Sequence, residues 1–168
     1  ENRVWYATAT SPYGPFLPQA AQKPLHDIAE IGGHPYRDDD GRLYMSFVRF
    51  GGGNHVWLEE VTMQDGVVAP VAGTATLAVS PTEAYENDGY GSIAEGGVLY
   101  KHNGLYYMIY ASGHYKGHYG ESYAVAEQIL GPYTKYAYNE ILPHNAAVDG
   151  VGDGIFVPSP DGKELFMV

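Results

Sequence analysis

The chain has 168 residues, of which 45% are hydrophobic and 17% charged, and its formal net charge is −11. This composition excludes a disordered chain, and the acidity argues against a nucleic-acid partner because phosphate binding needs a basic surface. No apolar run approaches the ~18 residues that a membrane span requires, and a chain without cysteine offers no disulfide or thiolate–metal site. We expect a soluble chain forming a single domain over residues 1–168, with no membrane partner, no signal peptide and no assigned compartment.

Strand signals dominate the chain, and its 16 Tyr, 22 Gly and 11 Pro residues are typical of short strands joined by tight turns. The N-terminal piece NRVWYATATSPYGPFLP has the character of an outer strand, near 3–10, and the turn that follows it. Further strands are predicted, in chain order, near 34–38, 43–50, 54–62, 69–79, 97–101, 105–111, 122–127, 134–142, 154–158 and 164–168.

One sequence unit occurs three times, as a turn closed by glycine and followed by an aromatic, apolar strand. The three copies read DDDGRLYMSF, YKHNGLYYMIY and SPDGKELFMV. Their glycines, Gly41, Gly104 and Gly162, are about 60 residues apart, and each repeat holds roughly four strands. This period predicts an all-β fold, a β-propeller with about three four-stranded blades.

The two ends of the chain leave alternatives open. If strand 3–10 pairs with strand 164–168, the pair completes a third blade and hides both sheet edges. If they do not pair, the chain is a piece of a longer protein, since propellers usually have 4–8 blades. A homo-oligomer in which partial propellers complete a larger ring is a further alternative.

The repeat also predicts a site on the propeller axis. Residues nine positions before the turn glycines are Gly32, Glu95 and Asp153, each in a glycine-rich setting. If these positions are equivalent, two carboxylates face one cavity, and a pair of acids is the minimum equipment for acid–base hydrolysis of a glycosidic bond. Glu95 and Asp153 are therefore the predicted catalytic residues, while solvated loop positions are the alternative.

Four other side chains are predicted to bind substrate. His34 begins an inner strand near the axis, and Arg49 is flanked by apolar residues and needs a carboxylate partner, for which an axial acid is one candidate. Trp57 is a candidate for sugar stacking, although propeller aromatics usually pack between blades. Tyr115 lies in the Gly-rich loop HYKGHYG, where a solvated loop is the alternative to a sugar contact.

The chain resembles glycoside hydrolase family 43, the five-bladed propellers that include β-xylosidases, α-L-arabinofuranosidases and arabinanases. The resemblance rests on four stretches, which look like the close of the first blade, the second blade, the third blade and the opening of the fourth. They are YATATSPYGPF, IGGHPYRDDDGRLYMSFVRFGGGNHVWLEEV, AEGGVLYKHNGLYYMIYASGHY with YAVAEQILGPYTKY, and GVGDGIFVPSPDGKELFMV.

The resemblance implies roles and also departures. Glu95 in EGG matches the family's general acid in Glu-Gly-Pro, with glycine in place of proline. The family's auxiliary Asp, which orients that acid, falls at Gly32, and its axial His, often tied to calcium or a water cluster, falls at Asp153. The base of the first blade has no counterpart, which leaves Asp153 as its replacement candidate.

Three functions are compatible with these residues. The first is a glycosidase acting on xylose- or arabinose-containing chains, with a carbohydrate substrate and no organic cofactor, although the family leaves room for calcium on the axis. The second is a non-catalytic carbohydrate-binding propeller. The third is metal-assisted hydrolysis through His34, Glu95 and Asp153.

Overall fold

The computed structural model describes residues 2–18 and 23–168 of the chain. Within these ranges the regular structure consists of strands and one 3-10 helix of three residues, Ala84–Glu86, so no helix there is long and apolar enough to cross a membrane. The strands are β1 (Ala7–Thr8), β2 (Leu17–Pro18), β3 (Glu30–Arg37), β4 (Leu43–Phe50), β5 (Asn54–Gln64), β6 (Val67–Pro70), β7 (Thr76–Val79), β8 (Ala94–His102), β9 (Leu105–Ser112), β10 (Gly120–Ala126), β11 (Thr134–Lys135), β12 (Phe156–Pro158) and β13 (Leu165–Met167).

The first large sheet contains β3 to β7. Strands β3, β4, β5 and β6 follow one another as an antiparallel meander, and β7 also pairs with β5. Strand β4, with the sequence LYMSFVRF, is buried over most of its length. An antiparallel strand with one solvent-exposed face alternates apolar and polar residues. The long apolar run in β4 therefore shows that both faces of this strand are packed against other residues.

The second large sheet has the order β11-β10-β9-β8, again antiparallel. Strands β8 and β9 are joined by two residues with positive φ, Asn103 at 50° and Gly104 at 78°, as a tight hairpin requires. The fourth strand was predicted over 134–142, but β11 covers only Thr134–Lys135. The side-chain amide of Asn139 bonds to both the N–H and the carbonyl of Tyr123, so it replaces the ladder that a longer strand would have formed.

The main core lies between the two large sheets, where β8 packs against β3, β4 and β5. Its fully buried members include Tyr44, Leu58, Met108 and Tyr110. Each large apolar side chain buried in this way contributes roughly 1.5–3 kcal/mol. A smaller core on the other face of the first sheet joins the N-terminal segment to β4 and β5, through Val4, Leu25, Met45, Phe47 and Val61.

The chain ends form two small hairpins. β1 pairs with β2, and β12 pairs with β13, each as a separate two-stranded sheet. Within residues 2–18 and 23–168, strand pairing does not join the first hairpin to the last. Of the alternatives for the chain ends, pairing of strand 3–10 with strand 164–168 is therefore not observed, and the propeller sheets are not closed. The all-β prediction, with blade-like antiparallel sheets, is confirmed.

The inner strands of the two large sheets carry the same irregularity near their first residues. Pairing shifts between Ile31 and His34 in β3 and between Glu95 and Val98 in β8. Both shifts contain a glycine in the left-handed region, Gly32 and Gly96, each with φ of 62°. These are β-bulges, which bend a strand and redirect its side chains. They make Gly96 the structural counterpart of Gly32.

Counting from the turn glycines therefore misplaces Glu95 by one residue. The hairpin between β3 and β4 has a loop of five residues, 38–42, whereas the one between β8 and β9 has two, 103–104. Asp153, with φ of 71°, shares the left-handed conformation of Gly32 and Gly96. Glu95 is thus the counterpart of Ile31, one position before the shared bulge residue.

Candidate active site

Glu95 lies at the start of β8, with its carboxylate held by two side chains. Asn54 Nδ2 donates to Oε2 at 2.6 Å, and the Tyr119 hydroxyl donates to Oε1 at 3.1 Å. Both oxygens of the carboxylate are thereby oriented, and the side chain is half-buried. Neither Asn54 nor Tyr119 was singled out as a site residue from the sequence.

Strand pairing explains why these three residues meet. Asn54, the first residue of β5, donates its backbone N–H to Ser92 O at 2.9 Å and forms a parallel bridge with Ile93. This bridge brings the Asn54 amide beside the first residues of β8. Tyr119 comes directly before β10, whose partner β9 is also the partner of β8.

The Asp153 carboxylate lies against Gly96. A side chain on Gly96 would collide with Asp153 Oδ1, so glycine at this position leaves room for the carboxylate. On the other side, Gly152 packs against Tyr119 and Ala111, where a Cβ on Gly152 would be 2.8 Å from Tyr119 Cε1. Asp153 thus contacts Gly96, the residue that follows Glu95 in β8, although Asp153 itself precedes the last hairpin.

Both predicted catalytic acids influence the pKa of Tyr119. Burial is the main cause that raises the pKa of the Tyr119 phenol, and the negative charges of Glu95 and Asp153 raise it further. The phenol therefore stays protonated and acts as a hydrogen-bond donor to Glu95.

His34 lies in β3 near the same acids. Burial lowers the pKa of its imidazole, while the negative charge of Asp153 acts in the opposite direction. Its Nδ1 is buried and has no hydrogen-bond partner among the described residues. His34 is thus a half-buried side chain close to Asp153, and a backbone hydrogen bond with Pro35 also acts to raise the pKa of its imidazole.

Arg49 and Trp57 contact each other, and neither is hydrogen-bonded to Glu95 among the described residues. Arg49 Nε bonds to Glu30 Oε1 at 2.9 Å, and Glu30 is fully buried. The guanidinium also covers the rings of Phe47 and Trp57, at 4.7 and 4.8 Å from their centroids. The carboxylate partner of Arg49 is therefore Glu30, not Glu95 or Asp153. One face of Trp57 is occupied by Arg49, as in blade packing.

Tyr115 is 63% exposed, in the loop between β9 and β10. Its ring stacks on His114 with centroids 4.4 Å apart, and His114 in turn stacks on Tyr90 at 5.7 Å. Asp88 holds this loop, since its Oδ2 accepts the backbone N–H groups of His114 and His118, each at 3.0 Å. The loop therefore presents an ordered aromatic group at the same end of the sheet as Glu95.

Among residues 2–18 and 23–168, no three or more His, Asp or Glu side chains are grouped so that they could hold a metal ion. His34, Glu95 and Asp153 therefore do not form such a group.

An all-β chain of blade-like sheets, with a carboxylic acid at the start of an inner strand, defines a propeller of the glycoside hydrolase type. The family model described as Glycosyl hydrolases family 43 matches residues 1–168. The chain belongs to that family, which confirms the resemblance.

Individual relatives agree with this assignment. The chain is 32% identical to xylosidase/arabinosidase 43B of Humicola insolens over 76% of its length, and 28% identical to a beta-D-galactofuranosidase of Aspergillus niger over 96%. Among solved structures, an endo-1,4-beta-xylanase from Bacteroides thetaiotaomicron superposes with a TM-score of 0.83 at 36% identity, covering 93% of this chain. A thermostable family-43 glycoside hydrolase gives a TM-score of 0.82 at 32% identity, covering 96%.

The chain spans only part of these proteins. It covers 24% and 44% of the two curated relatives, and 53% and 55% of the two solved chains.

Proposed function

We propose that the chain is a glycoside hydrolase of xylose- or arabinose-containing glycans, with Glu95 as the general acid. The observation that carries the proposal is the Glu95 carboxylate, oriented by Asn54 and Tyr119 at the position where family 43 has its acid. Hydrolysis requires this group to deliver a proton to the glycosidic oxygen as the bond to the leaving sugar breaks.

Asp153 is proposed as the base. In an inverting reaction a carboxylate removes a proton from a water that attacks the anomeric carbon from the opposite side of the sugar, with the two carboxyl groups about 6.5–9.5 Å apart. Asp153 comes from a separate hairpin and rests on Gly96, which supports such a paired arrangement with Glu95. His34 is proposed to contact the sugar beside Asp153, and Tyr115 to contact it at the outer end.

The test of Glu95 compares two leaving groups. E95Q should lower kcat by about 10²–10⁴-fold on a methylumbelliferyl xyloside or arabinofuranoside, whose leaving group needs a proton. On the corresponding dinitrophenyl glycoside, whose leaving group departs without a proton, E95Q should retain most of the wild-type rate. Equal losses on both substrates would contradict the acid role.

The test of Asp153 uses D153N, which keeps the size of the side chain. If Asp153 is the base, D153N should lose activity on both substrates alike, because activation of water is needed whatever the leaving group. Exposed Glu127 provides a control, as E127Q should hydrolyse both at the wild-type rate. Full activity of D153N would remove Asp153 from the mechanism.

A carbohydrate-binding function without hydrolysis is the second candidate, favoured by Gly32. Gly32 occupies the position that resembles the family's auxiliary Asp, so no carboxylate is present there. A Cβ on Gly32 would be 3.6 Å from Val48 Cγ2 and 4.0 Å from Gly96 N. Under this alternative, calorimetry would detect binding of xylo- or arabino-oligosaccharides by wild type, with no released sugar.

We propose that residues 1–168 fold as one partial propeller domain, and that copies associate through the two small hairpins. Their exposed apolar side chains, which include Leu17, Leu165 and Phe166, support this association.

A further inference from the structure

Glu121 is a buried acid that the mechanism above does not use. It lies in β10 and is fully inaccessible. Its Oε2 accepts the backbone N–H of Gly154 at 2.9 Å, and the nearby backbone of Asp153 acts to lower the pKa of this carboxyl. Oε1 is buried and has no hydrogen-bond partner among the described residues. One side chain of β10 thus holds the backbone of the turn that carries Asp153.

Strand register places this contact beside the candidate site. Ala111 of β9 is directly opposite Glu95 on one side and Glu121 on the other. Directly paired residues of antiparallel strands point to the same face, so the three form one row. The small Ala111 side chain leaves space in the middle, which Gly152 fills, since a Cβ on Gly152 would be 2.9 Å from that of Ala111.

We propose that Glu121 is a positioning residue for the catalytic pair. It holds the turn Gly152–Gly154 on the row of β8, β9 and β10, and thereby fixes the Asp153 carboxylate against Gly96, next to Glu95. This inference rests on the proposed function, in which Asp153 serves as the base.

The charge state of Glu121 is suited to this task. Burial is the main cause that raises its pKa, to about 8, and the negative charge of Asp153 raises it further. At neutral pH the carboxyl keeps its proton, so it anchors the turn without placing a second full charge beside Asp153. The titratable groups that face it are Asp153 and Tyr119. A neutral amide of the same shape should therefore replace it.

The first test measures amide hydrogen exchange at Gly154, which requires no activity. E121A should speed exchange at this amide by about tenfold or more, because a lost hydrogen bond of ~1.4 kcal/mol corresponds to that factor. E121Q should keep the wild-type protection, and E127A is the matched control for a surface glutamate. Unchanged protection in E121A, or lost protection in E121Q, would overturn the anchor; if E121A does not fold, the E121Q result alone decides.

The second test asks whether Glu121 acts through Asp153. E121A should lower kcat by about tenfold with a smaller change in KM, and should lower it no further in the D153N background. An equal loss in both backgrounds would overturn the positioning role. If wild type hydrolyses none of the glycosides, the proposed function fails, and the exchange measurement still judges the anchor separately.

Discussion

The hydroxyl of Tyr119 is one of the two groups that hold the Glu95 carboxylate. It donates to Oε1 at 3.1 Å, and burial together with two neighbouring acids keeps it protonated. Asn54 holds the other oxygen at 2.6 Å, so the carboxylate is fixed from both sides. Orientation of this kind matters because a catalytic group that is displaced from its productive geometry transfers its proton less efficiently.

Replacing Tyr119 by Phe should therefore lower kcat/KM for an aryl xyloside or arabinofuranoside. The expected loss is about two- to tenfold, since a hydrogen bond to the protonated, neutral carboxyl of a general acid is worth ~0.5–1.5 kcal/mol. Steady-state kinetics of Y119F beside Y138F measures it, because Tyr138 is 79% exposed. A wild-type rate in Y119F would show that the hydroxyl does not contribute.

Glu121 makes a separate prediction about stability. Its pKa in the folded chain is about 8, above the ordinary value of 4.5. Between these values the unfolded chain loses the proton and the folded chain keeps it, so the contribution of Glu121 to stability falls as pH rises, and it levels off above about 8.

E121Q has no such proton, so its stability relative to wild type should rise with pH across this window, by up to about 1.4 kcal/mol per pH unit. Urea unfolding of both proteins at several pH values between 5 and 8 measures the difference, with E127Q as the surface control. Parallel pH profiles for wild type and E121Q would contradict the prediction.

The sequence could predict Glu95 but not its partners. Glu95 stands in a repeated, glycine-rich setting that resembles a family motif. Asn54 is 41 residues away in the sequence, and its approach depends on one bridge between Asn54 and Ile93. A single non-local bridge leaves no periodic signal, so side chains that it brings together are visible only in the folded chain.

At the scale of elements, a buried ion pair ties the two large sheets together. Glu86, in the 3-10 helix after β7, is fully buried and bonds to Lys135 of β11 at 2.5 Å and to the Tyr110 hydroxyl of β9 at 2.8 Å. Lys135 also donates to Ser80 O at 2.7 Å, at the end of β7. The outermost strand of the second sheet is thus fastened to the last strand of the first.

Removing the lysine alone should be costly. K135M leaves the Glu86 carboxylate buried without its cation, and breaking such a pair on one side typically costs about 3–5 kcal/mol. The double variant K135M/E86Q should recover part of the loss because it removes the uncompensated charge. Denaturant unfolding of these variants and of K163M, whose Lys163 is on the surface, measures the effect; similar stabilities for K135M and K163M would contradict it.

Turns and strands were predictable to different degrees. The three glycine turns and strand β4 follow from local residues, and β4 was predicted with its observed bounds, 43–50. The β3–β4 and β8–β9 hairpins have loops of different length although their turn glycines look alike. Counting back nine residues from Gly104 therefore gave Glu95, whereas the structural counterpart of Gly32 is Gly96. The bulge glycines, which have the same φ, are the better markers of the axis.

For the whole molecule, the sheets follow one another along the chain from the N-terminal hairpin to the C-terminal one. The first large sheet lies between the N-terminal segment and β8, and the second carries the turn of Asp153 on its other face. The candidate site is built from both large sheets and the last hairpin, so it depends on their mutual packing. Sequence repeats predict each sheet separately, whereas closure depends on pairing between distant segments, which is why the sequence left both alternatives for the chain ends open.

Exposed apolar side chains on the two small hairpins favour self-association of the chain. The last hairpin exposes 46% of Leu165 and 50% of Phe166, and the first exposes 64% of Leu17. Unpaired strand edges and contiguous apolar surface favour pairing with another chain. Sedimentation velocity should therefore show a mass above that of one chain that rises with concentration. Substituting L165E and F166E together should shift the distribution towards monomer, while Y138E, at an exposed residue outside the end hairpins, should not. A wild-type chain that stays monomeric at all concentrations would contradict the prediction, and it would mean that open hairpin edges of this length are tolerated in solution.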